Sequence, residues 1–172
     1  MTSDKTQWAD LASRSLGGGV VYANDELFAD RENLIKAADP VFQPHTFGNK
    51  GQVMDGWETR RRREPGYDWV IVQLGHRGRI RHVDIDTAHF KGNFPHQVSL
   101  QGSLLRGEWD GHVVSQSLYW QSLLEPQFLK ADSEHRFQAV LRDVGPVSHV
   151  RVNIHPDGGL SRVRLFGQPE RA

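Results

Sequence analysis

Four consecutive arginines, Arg60 to Arg63, stand in the segment MDGWETRRRREPGYDWVIVQLG (54–75), behind an acidic, tryptophan-bearing stretch and ahead of an apolar run. The planar guanidinium fork recognises a carboxylate through two parallel hydrogen bonds, which a lysine cannot reproduce. On an extended segment Arg60 and Arg62 point one way and Arg61 and Arg63 the other, so one site receives at most half of them. The competing use is structural, with Asp55, Glu58, Glu64 and Asp68 close enough in sequence to serve as partners that hold the loop.

Three acidic pairs fall near the ends of apolar runs: Asp25 with Glu26, Asp55 with Glu58, and Asp84 with Asp86. A carboxylate in such a place can act as general base on water, as general acid, or as an oxygen ligand of a hard cation. Each is also a turn former or salt-bridge partner, and Asp157, in PDGG, is assigned to a turn. The nine histidines contain neither HExxH nor HxH, the spacings that put two imidazoles on one metal. His89 is the best placed, because it opens a loop that also carries Lys91, Asn93 and Pro95. His45, His76, His96 and His112 are assigned to solvated loops. No GxSxG, P-loop or dinucleotide fingerprint is present, and LGGG at Leu16 runs into strand-like residues, so it lacks the helix start that a phosphate site needs.

Composition narrows the classes. Lysine plus arginine and aspartate plus glutamate both total 21, giving zero net charge, which argues against a non-specific nucleic-acid or membrane-surface role. The absence of cysteine excludes disulfides, thiolate metal sites and a cysteine nucleophile. With 172 residues, short apolar runs and a polar start, the expectation is one cytoplasmic domain without a signal peptide or membrane span.

The elements that must position these residues read as β. Residues 1–15 suggest a short helix or ordered arm, Val20–Tyr22 a short strand, and DELFADRENLI one helical turn. The proline- and glycine-rich stretch from Ala37 to Gln52 reads as an ordered loop pinned by Phe42 and Phe47. DWVIVQLG and GRIRHVDIDT alternate as two strands, and the parity of the second puts Asp84 and Asp86 on one face. VSLQGSLL and VVSQSLYW read as strands, LLEPQFLKADSEH as a polar connection carrying a few buried anchors, and RFQAVL, SHVRVNIH and LSRVRLFG as three more strands. Asp-Gly in PDGG predicts a hairpin between the last two. Seven or eight short strands without a long helical period predict an all-β fold, an antiparallel β-sandwich of jelly-roll type.

These residues together resemble the allantoicase repeat. The motifs are GGVVYANDE (18–26), MDGWETRRRR (54–63), DWVIVQLG (68–75), VDIDTAHFKGNFP (83–95) and HVRVNIHPDGGLSRVRLFG (149–167), in order along nearly the whole chain. The resemblance implies a galactose-binding-like, discoidin-type jelly roll and hydrolysis of allantoate to ureidoglycolate and urea in purine degradation. That chemistry needs a carboxylate clamp, a proton donor to the departing nitrogen and a base for water. The candidates are Arg60 and Arg62 for the clamp, Glu26, Glu58, Asp86 and His89 for proton transfer, and Asn93 for a ureido group. A divalent metal such as manganese is the cofactor to test.

Family members carry two such repeats, so a single repeat implies a homo-oligomer or a partner that supplies the second one. His155 replaces the aromatic residue usual in this motif. The alternative function is a small-ligand-binding or structural subunit without catalysis.

Overall fold

In the computed structural model, residues 8–107 and 111–171 are described. The chain forms β1 (Ala9–Asp10), β2 (Gly19–Ala23), β3 (Phe47–Gly48), β4 (Gly51–Gln52), β5 (Trp57–Glu58), β6 (Asp68–Asp86) and β7 (Gln97–Ser103). Then follow a helix, α1 (Gly111–Ser117), and β8 (Gln121–Phe128), β9 (Glu134–Phe137), β10 (Val147–His155), β11 (Gly159–Leu160) and β12 (Arg162–Pro169). All strand pairings are antiparallel.

The long strand β6 organises the sandwich. Its first half pairs with β2 and β10, and its second half with β12 and β9. Ile154 lies opposite Asp68 and Arg162 opposite Asp86, and only residues 155–161 connect those two positions. That connection spans at most roughly 25–30 Å, whereas a straight 19-residue strand would run about 60 Å. β6 therefore folds back on itself, giving one sheet ordered β2-β6-β10-β7-β8 and another ordered β1-β12-β6-β9. Asp68 and Asp86, at its two ends, come to the same end of the sandwich. The fold is the expected all-β antiparallel sandwich.

Between the sheets Val70, Val72, Val83, Ile85, Val98, Leu100, Val150, Val152, Ile154, Val163 and Leu165 are fully buried. Their alternation along each strand is the period that the sequence displays. Ile71 faces the other way and is also buried, because Val113 of α1 and Trp120, just beyond that helix, cover that face.

Several local expectations are corrected. DWVIVQLG and GRIRHVDIDT are one bent strand. VVSQSLYW is not a strand: Val113, Ser117 and Trp120 are buried at spacings of four and three, a helical face that reads as alternation in so short a run. LLEPQFLKADSEH is not a polar connection, since residues 121–128 form an edge strand that buries Leu123 and Leu124 and tolerates Pro126 there. The strand expected over RFQAVL is shifted to Glu134–Phe137.

No hairpin joins β10 to β12. Both pair with β6, and Gly159–Leu160 pairs with β5 instead, so sheet pairing outweighs the local turn signal. The expected short helix before Ser15 is absent from residues 8–15, where β1 and the start of a 3-10 turn (Arg14–Leu16) stand; residues 1–7 lie outside the described part. Phe47, 67% exposed, does not pin the 37–52 loop, whereas Phe42, 37% exposed, stacks on His89. Arg162 and Arg164 tether its start through the carbonyls of Lys36, Ala37 and Ala38.

Candidate active site

Trp57 is fully buried, and its indole Nε1–H donates to the carbonyl of Asp25 at 2.7 Å. This contact and the β5–β11 pairing fix the residues that follow. Thr59 exchanges hydrogen bonds with Gly158: its N–H donates to the Gly158 carbonyl at 3.0 Å, and the Gly158 N–H donates to Thr59 Oγ1 at 3.1 Å. Gly158 has φ of 125°, and a Cβ there would stand 2.6 Å from the Asn93 carbonyl, so glycine lets the 93 and 158 loops meet. Asp157 is structural, as expected, its Oδ2 accepting the Arg62 N–H at 2.7 Å.

The arginine loop lies on this foundation. Arg60 Nε donates to Asp25 Oδ2 at 2.8 Å. Arg62 Nη1 donates to Asp68 Oδ1 at 2.8 Å, where Asn24 Nδ2 also donates at 3.0 Å. Arg62 Nη2 reaches the Pro65 carbonyl at 3.3 Å. Gly66, at φ 139°, passes so close that a Cβ there would meet Arg62 Nη2 at 2.5 Å, so the loop wraps its own guanidinium. Arg61 and Arg63 are exposed. A cavity of about 550 Å³ is lined by Asn24, Asp25, Arg60 to Arg63, Glu64 and Asp68.

Next to this cavity in the chain, Glu58 Oε2 accepts from Asn93 Nδ2 at 2.5 Å. Burial pushes the Glu58 carboxyl above its ordinary range, and the Asn93 bond offsets this in part. Glu58, Asn93 and the arginine loop are thus brought together.

The other three candidates have separate surroundings. Glu26 accepts from the Arg31 guanidinium at 2.5 Å and from its N–H at 3.1 Å, and so braces the 26–31 turn. Asp86 accepts the Ala88 N–H at 2.8 Å; burial raises its carboxyl and the nearby Glu134 charge adds to that. His89 takes the left-handed conformation, φ 72°, with its N–H on Asp132 and its ring stacked on Phe42 at 5.7 Å. Such backbone strain in a non-glycine residue needs surrounding structure to hold it. His155, in the unusual motif position, packs on Tyr67 at 5.1 Å and bonds Ser99 at 3.2 Å.

Buried polar groups occupy the outer sheet faces, and of these the sequence singles out only Asp84. Arg151, 2% exposed, bonds Asn153, Ser117 and Tyr67 and lies 4.3 Å over the Trp69 ring. On the opposite sheet His82 Nε2 bonds Asp84 Oδ1 at 3.0 Å. Burial raises the Asp84 carboxyl to about 6, against the lowering effect of His82. Strand parity places Asp84 but not its burial. Among the described residues no three His, Asp or Glu side chains converge as ligands for a metal ion.

An antiparallel β-sandwich with an arginine-lined cavity on its rim is the class that fold and site define. Within that class, residues 9–170 match the model of the allantoicase repeat, and the chain belongs to the allantoicase family. A probable allantoicase of Ralstonia nicotianae is 46% identical over 168 residues, covering 98% of this chain and 47% of that protein. The structure of allantoicase from Saccharomyces cerevisiae superposes with a TM-score of 0.81 at 34% identity, covering 96% of this chain and 49% of that one. CBM32-3 from a family 31 glycoside hydrolase of Clostridium perfringens shares the fold, with a TM-score of 0.64 at 10% identity over 98% of this chain and all of that one. The chain spans about half the length of the allantoicase relatives it matches. Among the described residues no helix is long and apolar enough to cross a membrane.

Proposed function

We propose that the chain hydrolyses allantoate to ureidoglycolate and urea, as an amidinohydrolase of purine degradation. The bond between the central carbon and one ureido nitrogen breaks with its electrons going to nitrogen, which takes a proton and leaves as urea. The oxygen of water bonds to that carbon and gives up a proton, so one water is consumed. Glu58 serves as the base for water: desolvation raises its basicity, and Asn93 fixes its orientation. Asn93 also offers a carbonyl to a ureido N–H. The arginine loop supplies the carboxylate clamp, with Arg60 and Arg62 at its base. Asp86 and His89 are the candidates for returning a proton to nitrogen, on the loop that also carries Asn93.

The observation that carries this function is the pairing of Glu58 with Asn93 on the segment that leads into the arginine cavity, in a chain of the allantoicase family. For the working assembly we propose a homo-oligomer, or a pair with a second repeat. We also place the protein in the cytoplasm, which its cysteine-free composition suits. The test is urea release from allantoate by the purified oligomer, with chelator and with added manganese. Release under either condition supports hydrolysis. A folded oligomer that binds allantoate yet releases no urea under both conditions favours the ligand-binding subunit instead.

A further inference from the structure

We infer that the four arginines divide their work by alternate residues: Arg61 and Arg63 bind the substrate carboxylate, while Arg60 and Arg62 hold the loop that presents them. Only the identity of that carboxylate, allantoate, rests on the proposed hydrolysis.

Arg60 and Arg62 are already committed. Arg60 bonds Asp25 through both its Nε and its N–H, at 2.8 and 3.3 Å. Arg62 is held from three directions, with its N–H on Asp157, Nη1 on Asp68 and Nη2 on the Pro65 carbonyl. Asp68 is 1% exposed, so pulling Arg62 away to meet a ligand would leave a buried carboxylate without its cation, a costly exchange. The Arg62 guanidinium is not available without dismantling the loop, whereas Arg60 has only its Nε taken, by Asp25, on a side chain that is 65% exposed.

Arg61 and Arg63 line the same cavity and make no side-chain hydrogen bond or ion pair with the described residues. The lining holds four arginines against the three carboxylates Asp25, Glu64 and Asp68, a difference of one positive charge. With Asp25 and Asp68 taken by Arg60 and Arg62, the remaining groups are two guanidinium forks and Glu64. Thr59 to Arg62 form no turn or helix and a bend begins at Arg63, and across that bend Arg61 and Arg63 both line this one cavity. Two forks on one cavity suit a single small carboxylate, approached from solvent and held by charge-assisted bonds. The partners of Arg60 and Arg62 keep the backbone rigid beneath them, which lowers the ordering cost of binding.

The test uses ureidoacetate, which keeps the carboxylate and one ureido group but lacks the second ureido group of allantoate, with ureidoacetamide as the uncharged control. Titration calorimetry on the full chain is run with Arg60→Gln, Arg61→Gln, Arg62→Gln and Arg63→Gln, alongside melting temperatures. Arg61→Gln and Arg63→Gln are each expected to weaken ureidoacetate binding about tenfold or more with unchanged melting. Arg62→Gln is expected to lower the melting temperature. Ureidoacetamide should bind wild type no better than ureidoacetate binds those two variants.

Wild-type affinity in both Arg61→Gln and Arg63→Gln, or no binding of ureidoacetate by the wild-type chain, overturns the division. If ureidoacetate binds through Arg61 and Arg63 but allantoate yields no urea, the clamp stands and the hydrolysis falls.

Discussion

Arg162 and the pair Arg61 and Arg63 are the same residue type in opposite circumstances. Arg162 is fully buried, and its guanidinium meets both oxygens of Asp55 and the carbonyls of Ala38, Asp55 and Ser161. Burial alone would raise the Asp55 carboxyl, but bonds from Arg162, the Val41 N–H and Lys36 outweigh it and hold it below its ordinary range. Arg61 and Arg63 stand exposed at the rim with no such partners. In one place the chain spends an arginine on joining its loops to the sandwich; in the other it leaves two for a ligand. Satisfaction of the donors, more than the presence of arginine, separates scaffold from site.

Breaking the scaffold side should have the largest effect on stability. Arg162→Met leaves Asp55 without its main partner and should cost about 3–5 kcal/mol in urea unfolding. A loss under 1 kcal/mol would mean that the Arg162 network is dispensable. On the site side, Glu58→Gln should reduce turnover of allantoate roughly 10²- to 10⁴-fold with no fall in melting temperature, since burial disfavours the charged form it removes. The wild-type rate should fall as pH drops through the raised Glu58 range, where the base becomes protonated. An activity rising toward acid would give Glu58 the opposite role.

Asp84 sharpens the comparison through pH. Its carboxyl is raised to about 6, so the folded chain holds that proton more tightly than the unfolded one. The resulting stabilisation is fully present below the ordinary value of 3.8 and is lost as pH rises through about 6. Asp84→Asn should remove this fall, which amounts to no more than about 3 kcal/mol, in denaturant titrations across that window. Asp55 acts in the other sense: its stabilisation is lost as pH falls below the ordinary carboxylate range. The smallest effect is expected from Phe47→Ser on the exposed loop, within about 0.5 kcal/mol; a larger loss would show that Phe47 is covered in the assembly.

Much of the sandwich is legible in the sequence because burial on one face writes alternation into β6, β10 and β12. Residues 111–117 and 121–128 are not, since a seven-residue helix and a proline-bearing edge strand leave too few periods to tell apart. The turn at PDGG misleads because Asp157 and Gly158 serve the Arg62 N–H and Thr59 rather than a hairpin. At the site, the loop is legible from its arginine run, and Glu58 and Asn93 are candidates from chemistry alone. Which arginines are free is only partly so: the partner of the Arg62 guanidinium, Asp68, follows six residues on, but the partner of Arg60 is Asp25, 35 residues before it. No local pattern carries that information.

The most direct measurement is urea released per allantoate consumed by the wild-type protein and by Glu58→Gln, at matched melting temperature and with metal both chelated and supplied. Steady release of one urea per allantoate by wild type, lost in Glu58→Gln, is the expected result. Equal release by both, or none from the folded wild-type protein under either condition, would contradict hydrolysis at the Glu58 and arginine rim.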